Sequence, residues 1–361
     1  PFLAVHVVAV LGTIIFGITP VALGLFIVMV WGRIWFITAG YHRYFAHRSF
    51  KTSRAFQLFL AIGGVMCVQK GPLWWAGHHR EHHRTSDTED DVHSPLKGFW
   101  WSHVGWILCD KFTEPPLERI KDFAKFPELR FIEKWNGTFA WLTVLLCFLI
   151  GGWSGLFFGF FMGTVALWHN TFLVNSVAHV FGRRRYVTDD TSRNNFLIAL
   201  TTHGEGWHNN HHHYQASARN GFFWWEIDLT FQSLRVLSWL RIVRDLKVPT
   251  KKMLVSDRIA DGNFDVGMYR AKIARWNHVP IYSYAPFDNA CWDIVGKMAH
   301  LPVYKILGAA RERVPLYVSS MFLDGPEDYA RQAPISAETN RPTSRLTRLS
   351  VKRLDLSQTR R

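Results

Sequence analysis

Eighteen histidines stand among the 361 residues, and eight of them fall in three clusters. His42 and His47 lie in HRYFAH, His79, His82 and His83 in HREHH, and His208, His211 and His212 in HNNHH. On a helix, positions i, i+3 and i+4 share an arc of about 100°. Each HxxHH therefore aims three imidazoles in one direction. The HxxxxH pair is about 140° apart on a regular helix, so both rings meet one centre only near a helix end or across a wider site. A lone histidine is ordinarily a core or loop residue, but eight beside apolar segments are costly with nothing to bind. Imidazole suits zinc, copper, iron or nickel. Eight rings exceed one tetrahedral zinc site and fit two ions, a pair suited to oxygen activation if positions stay open. Soluble di-iron bundles use Glu and ExxH pairs, a pattern these clusters lack. Four scattered cysteines (Cys67, Cys109, Cys147, Cys291) with no CxxC give neither a disulfide framework nor a thiolate site.

The elements that must carry the histidines are apolar. The chain is 48% hydrophobic and 15% aromatic, and only 19% charged, below the usual quarter. Residues 1–32 and 135–182 contain no Asp, Glu, Lys or Arg. A bilayer span needs about 20 apolar residues, so each block is long enough for two spans or nearly so. This excludes an ordinary soluble domain. The pattern predicts helices over about 2–18 and 21–40, a short non-spanning helix over 55–69, and a third and fourth span over about 138–180 with their hairpin at Gly151-Gly152. Residues 224–245 read as an amphipathic surface helix. The net charge of +14 sits in loops, where Lys and Arg mark the cytoplasmic side, and in the tail. It suits lipid headgroups rather than nucleic acid. Pro1 in place of Met reads as a cut N-terminus.

The order HxxxxH, HxxHH, HxxHH, with its flanks, is similar to the membrane acyl-CoA desaturases of the stearoyl (delta-9) type, bacterial branch. The matching stretches are ITAGYHRYFAHRSFKTS, HREHHRTSDTEDDVHSPLKGFWWSHVGW, LVNSVAHVFG and GEGWHNNHHHYQASARNGFFWWEIDLT. The resemblance covers about residues 1–248 and implies an all-α membrane protein. Four transmembrane helices would bear a cytosolic, His-rich helical cap holding two irons on the cytoplasmic face. By motif, one iron falls to His42, His47, His79, His83 and His211, and the other to His82, His179, His208 and His212. Asn175 falls where the family holds a water on the second iron. Gln69, Trp74, Trp75 and Phe172 are the candidate lining of an acyl tunnel. His78, His93, His103, His203 and His213 fall outside the ligand pattern.

The implied reaction is oxygen-dependent desaturation of a long-chain fatty acyl thioester, with a cis double bond at the delta-9 position of acyl-CoA. It requires dioxygen and a separate ferredoxin- or cytochrome-type electron donor, since no HPGG haem segment is present. The family's Arg before the second box is Gly77 here, and its Arg-Lys pair after HVGW becomes Cys109-Asp110-Lys111. Lys111 alone remains for the acyl carrier's phosphates, which brings acyl-lipid or acyl-carrier-protein substrates into range. The competing readings are a membrane hydroxylase or ketolase on the same site, separable by an oxygenated product, and a non-catalytic metal-binding protein. The desaturase domain is expected over 1–249. The tail, 250–361, holds a stretch at about 280–330 that resembles an enolase-superfamily (mandelate racemase-type) fragment. It ends in a Ser/Thr/Arg-rich segment expected to be disordered. Nothing in it matches the desaturase pattern, so it is expected to be dispensable.

Overall fold

The computed structural model describes residues 2–263 and 265–269. The enolase-like stretch, the short helix expected at 287–307 and the basic end lie outside the described residues.

Two helical hairpins frame the molecule. Helix α1 (Phe2–Phe16) is followed at Thr19, whose hydroxyl caps Ala22 N–H, by a continuous helix α2 (Pro20–Ala46). The second hairpin joins α3 (Asn136–Ser154) to α4 (Gly163–Val180) through a π-helical stretch, Gly155–Met162. The expected break is at Gly152, whose φ of 60° and ψ of −151° favour glycine. The chain reverses there: Asn136, Gly137 and Ala140 line the same cavity as Thr171, Phe172 and Asn175. The turns of the two hairpins are tied together, because Ser154 Oγ–H donates to Gly17 O (2.8 Å) and accepts from Thr19 N–H (3.2 Å).

Two segments are long and apolar enough to cross a membrane, Pro20–Ala46 with 27 residues and Asn136–Val180 with 45. Their outward side chains, such as Trp141, Leu149 and Ile150, are exposed, a surface suited to lipid. Helix α1 is shorter than expected, 15 residues, and alone falls below the length of a span.

The remaining elements close over one end of the hairpins. Helix α5 (Arg54–Val65) packs on α2, where a Cβ at Gly64 would overlap the Tyr41 ring. Helix α6 (Pro72–Thr85) carries the second histidine cluster, and its first turn is held by Glu133, which accepts from Leu73 N–H and Trp74 N–H. Helix α7 (Phe99–His103) lies against α4. The short helix α8 (His208–His213) carries the third cluster. A two-stranded antiparallel ribbon pairs Lys51–Thr52 with Val243–Arg244.

The amphipathic segment is helical only over α9 (Leu229–Trp239), shorter than the expected 224–245. Asp228 starts it by accepting from Phe231 N–H, while its other oxygen holds Asn220 N–H. The residues before it are committed to that loop network. Residues 251–263 and 265–269 are bonded to the cap rather than separate from it: Arg184 forms a bidentate pair with Asp265, and Tyr186 Oη–H donates to Leu254 O. The boundary expected at 250 therefore cuts through packed structure.

Candidate metal centre

Helix α2 ends in an unusual winding. Residues Phe36–Ala46 form a π-helix, whose i→i+5 bonds bring residues five apart onto one side. His47 N–H donates to His42 O at 3.1 Å, and the two rings lie 4.7 Å apart. The 140° separation expected for this pair on an α-helix is removed by the change of winding. Helix α8 is positioned by the two asparagines inside its cluster. Asn209 Oδ1 accepts from Arg185 N–H and Tyr186 N–H, and Asn210 Nδ2–H donates to Asn220 O and Glu226 Oε2.

The nine histidines expected as ligands come together as two groups: His42, His47, His79, His83 and His211, and His82, His179, His208 and His212. In the first, successive Nε2 atoms are separated by 3.1 Å (His42–His211), 2.9 Å (His211–His83), 3.0 Å (His83–His79) and 3.0 Å (His79–His47). In the second, His179 Nε2 and His208 Nε2 are 3.0 Å apart. Around a metal with bonds of about 2.1 Å, nitrogens at right angles are about 3.0 Å apart and tetrahedral ones about 3.4 Å. The observed spacing fits the right-angled arrangement. His82 Nε2 and His212 Nε2 are buried with no hydrogen-bond partner among the described residues, as expected of atoms reserved for an ion. The residues present fit two metal ions.

Protonation agrees with that fit. Burial, then the repulsion of neighbouring imidazoles, pushes His79, His83, His208 and His211 well below the ordinary imidazole value. They are neutral near pH 7, the form that binds a metal.

Four carboxylates back the imidazoles, and sequence reasoning missed them. His82 Nδ1–H donates to Asp91 (2.9 Å) and His212 Nδ1–H to Asp190 (2.5 Å). His42 Nδ1 lies 2.7 Å from Glu205, and His179 Nδ1 lies 3.2 Å from Asp87. Such partners fix the tautomer and turn Nε2 toward the metal. Burial opposes charge on Asp91, but the His82 and His93 imidazoles and nearby N–H groups hold its carboxyl below the usual carboxylate range. The signal was present in SDTEDD after the second box, DDTS before the third and GEGWH at its start, but as backing acids rather than ligands. The His93 ring, expected to be structural, lies 4.1 Å from that of His82, tilted at 33°, and groups with it and Asp91. His78, His203 and His213 lie outside these groups.

A cavity of about 580 Å³ runs up to the first group. Gln69, Trp74, Trp75, Phe172 and Asn175 all line it, together with Lys70, Thr171 and His79. Gln69 Nε2–H donates to Thr171 Oγ1 at 3.0 Å, joining two sides of the wall. A smaller space of about 40 Å³ lies between Asn175, Trp75, His79, His82 and His208, touching both histidine groups; it has room for a water. Lys111, expected at the acyl carrier's phosphates, lies outside this lining. Its Nζ lies over the Phe112 ring (5.5 Å), and the cavity is lined instead by Cys109, Asp110 and Thr113.

The arrangement can bring an alkyl chain to a pair of metal ions, and comparison with known proteins agrees. The fatty acid desaturase family profile matches residues 17–236. The chain is 40% identical over 254 residues to the sn-1 stearoyl-lipid 9-desaturase of Anabaena variabilis, covering 70% of this chain and 93% of that one. It is 37% identical over 244 residues to the sn-2 palmitoyl-lipid 9-desaturase of Nostoc sp., covering 66% and 85%. It is 36% identical over 236 residues to an acyl-CoA 5-desaturase of Anemone leveillei, covering 63% and 74%. With two histidine groups fit for metal beside an apolar cavity, and a family match spanning more than half its length, the chain belongs to the fatty acid desaturase family.

Proposed function

We propose that this protein is a four-span, di-iron desaturase that introduces a delta-9 double bond into a long acyl chain. The observation that carries the reading is the convergence of nine imidazoles into two groups at the end of an apolar cavity. Two irons held by His42, His47, His79, His83 and His211, and by His82, His179, His208 and His212, would supply the oxidation of an unactivated methylene pair with dioxygen. The chain's own residues do the rest. The aromatic wall of Trp74, Trp75 and Phe172 excludes water and orients an alkyl chain that offers nothing to hydrogen-bond. Asn175 faces the space between the two groups, where it can hold a water. Asp87, Asp91, Asp190 and Glu205 keep the imidazoles aimed.

In this reading the four spans are the legs of the two hairpins, and the positive-inside bias supports a histidine cap on the cytoplasmic side. Electrons come from a separate ferredoxin- or cytochrome-type protein. For the acyl carrier, the cavity supports a membrane lipid over acyl-CoA. Lys70 is its one Lys or Arg among the described residues, and Asp110 adds a carboxylate, a poor match for the phosphates of CoA. The lipid 9-desaturases at 37–40% identity support the same choice. Acyl-CoA remains the second reading, favoured by the Anemone relative.

Expression in a host lacking its own desaturase, with mass spectrometry of each lipid class and of acyl-CoA, tests this. New unsaturation appearing first in glycerolipid supports the lipid reading. First appearance in acyl-CoA selects the second reading, an oxygenated chain selects a hydroxylase, and no change in any pool overturns both desaturase readings.

A further inference from the structure

Three histidines outside both metal groups form a continuous chain along the cavity wall. His6 Nδ1 meets Phe2 O at 2.9 Å, and His6 Nε2 meets His169 Nε2 at 3.0 Å. His169 Nδ1 meets His103 Nε2 at 2.9 Å, and His103 Nδ1 meets Ser176 Oγ at 2.9 Å. Ser176 Oγ–H in turn reaches Phe172 O at 2.9 Å. Both ends are carbonyl oxygens, which only accept. The five contacts need five protons, whereas three neutral imidazoles and one hydroxyl supply four. The chain is complete only with one added proton.

Its rings stand directly behind the lining of the acyl cavity. Phe2 stacks on Trp168 at 5.5 Å, and the Phe172 ring lies 5.7 Å from His103 and 5.9 Å from His169. Phe2, Trp168 and Phe172 all line the cavity. Among the described residues, His6 is the one side chain of α1 with a hydrogen bond to another helix. This end of α1 is thus held by aromatic packing and by this chain.

We propose that His6, His169, His103 and Ser176 form a one-proton clasp that fixes the Phe2–Trp168–Phe172 wall and so sets which methylene of the acyl chain is oxidised. These are positioning residues, and the proposal rests on the desaturase reading. The helices α1, α4 and α7 carry no Asp, Glu, Lys or Arg. Of the charged groups on neighbouring elements, Arg33 is bonded to Thr164 Oγ1 and Lys97 to Glu89 O. The other titratable group of α4, His179, faces His208 and Asp87. Among the described residues the added proton therefore has no counter-ion, and burial lowers His103 below the ordinary imidazole value. At pH 7–8 the clasp has one contact without a proton; acidification completes it and tightens the wall.

The test compares the full-length protein with its His169→Leu variant in membranes, reading double-bond positions from pH 5.5 to 8. The parent should become more regioselective as pH falls. The variant should give a ratio of positional isomers changed about fivefold, the equivalent of one net hydrogen bond, and independent of pH. Hydrogen exchange of residues 2–8, which needs no turnover, should be faster in the variant. If His169→Leu fails to insert, His6→Leu and His103→Leu carry the same expectations. Parent-like isomer ratios and parent-like exchange overturn the clasp. A parent that forms no alkene counts against the desaturase reading, and the exchange comparison then still decides the clasp.

Discussion

His212 Nδ1 lies 2.5 Å from Asp190 Oδ2, while its Nε2 is buried with no hydrogen-bond partner among the described residues. One nitrogen is committed to a carboxylate so that the other is free for a metal. Asp190 is itself fixed, accepting at Oδ1 from Ser192 N–H and Thr188 Oγ1–H, both at 2.9 Å. Asp190→Asn keeps the shape and removes the charge. It should weaken metal binding at the four-histidine group by about 10–100-fold. Metal-binding titration of the purified protein, with retention on size-exclusion as the folding control, checks this.

The buried imidazoles also fix a pH dependence for the metal-free protein. Because the folded values of His79, His83, His208 and His211 are depressed, the unfolded chain takes up protons first as pH falls. Stability is then full above about pH 6.5 and is lost progressively below it. Thermal melts of chelator-treated protein should be flat from pH 7 to 8 and fall below pH 6.5. A melting temperature that rises on acidification would contradict neutral burial.

The cavity charge predicts substrate behaviour. Asp110→Arg removes a carboxylate from the lining and adds a guanidinium suited to phosphate. Competition between acyl-CoA and glycerolipid should move toward acyl-CoA. An unchanged preference would place the carrier away from this residue.

Truncation separates packed chain from the rest. Deleting residues 270–361 should leave activity near that of the full chain. Deleting 251–361 should lower stability by about 1–3 kcal/mol, since it removes Asp265 from Arg184 and the carbonyl that accepts from Tyr186. Denaturant unfolding of the two truncations in the same detergent measures the difference.

The two histidine groups were legible because HxxHH has one geometric meaning on any helix, and because family flanks such as NSVAH point to His179. The cavity-lining residues Gln69, Trp74, Trp75 and Phe172 were legible for a simpler reason, being neighbours of the clustered histidines in the chain. The π winding of Phe36–Ala46 was not, since hydropathy does not distinguish an i→i+5 ladder from an α-helix. Nor were the backing acids: Asp87 and Asp190 meet His179 and His212 through loops whose path depends on tertiary contacts. A motif fixes a position in sequence and not the direction of a side chain: Lys111 Nζ lies over the Phe112 ring. The histidine chain from His6 to His103 was invisible for the same reason, its members coming from three separate helices.

Metal analysis beside an activity assay tests the di-iron proposal most directly. Protein produced with iron supplementation should contain about two irons per chain, one for each histidine group. His82→Ala and His208→Ala should each lose activity together with iron from the four-histidine group, while still inserting in the membrane. Full activity at about one iron per chain, or retained activity in both variants, would contradict the two-metal site.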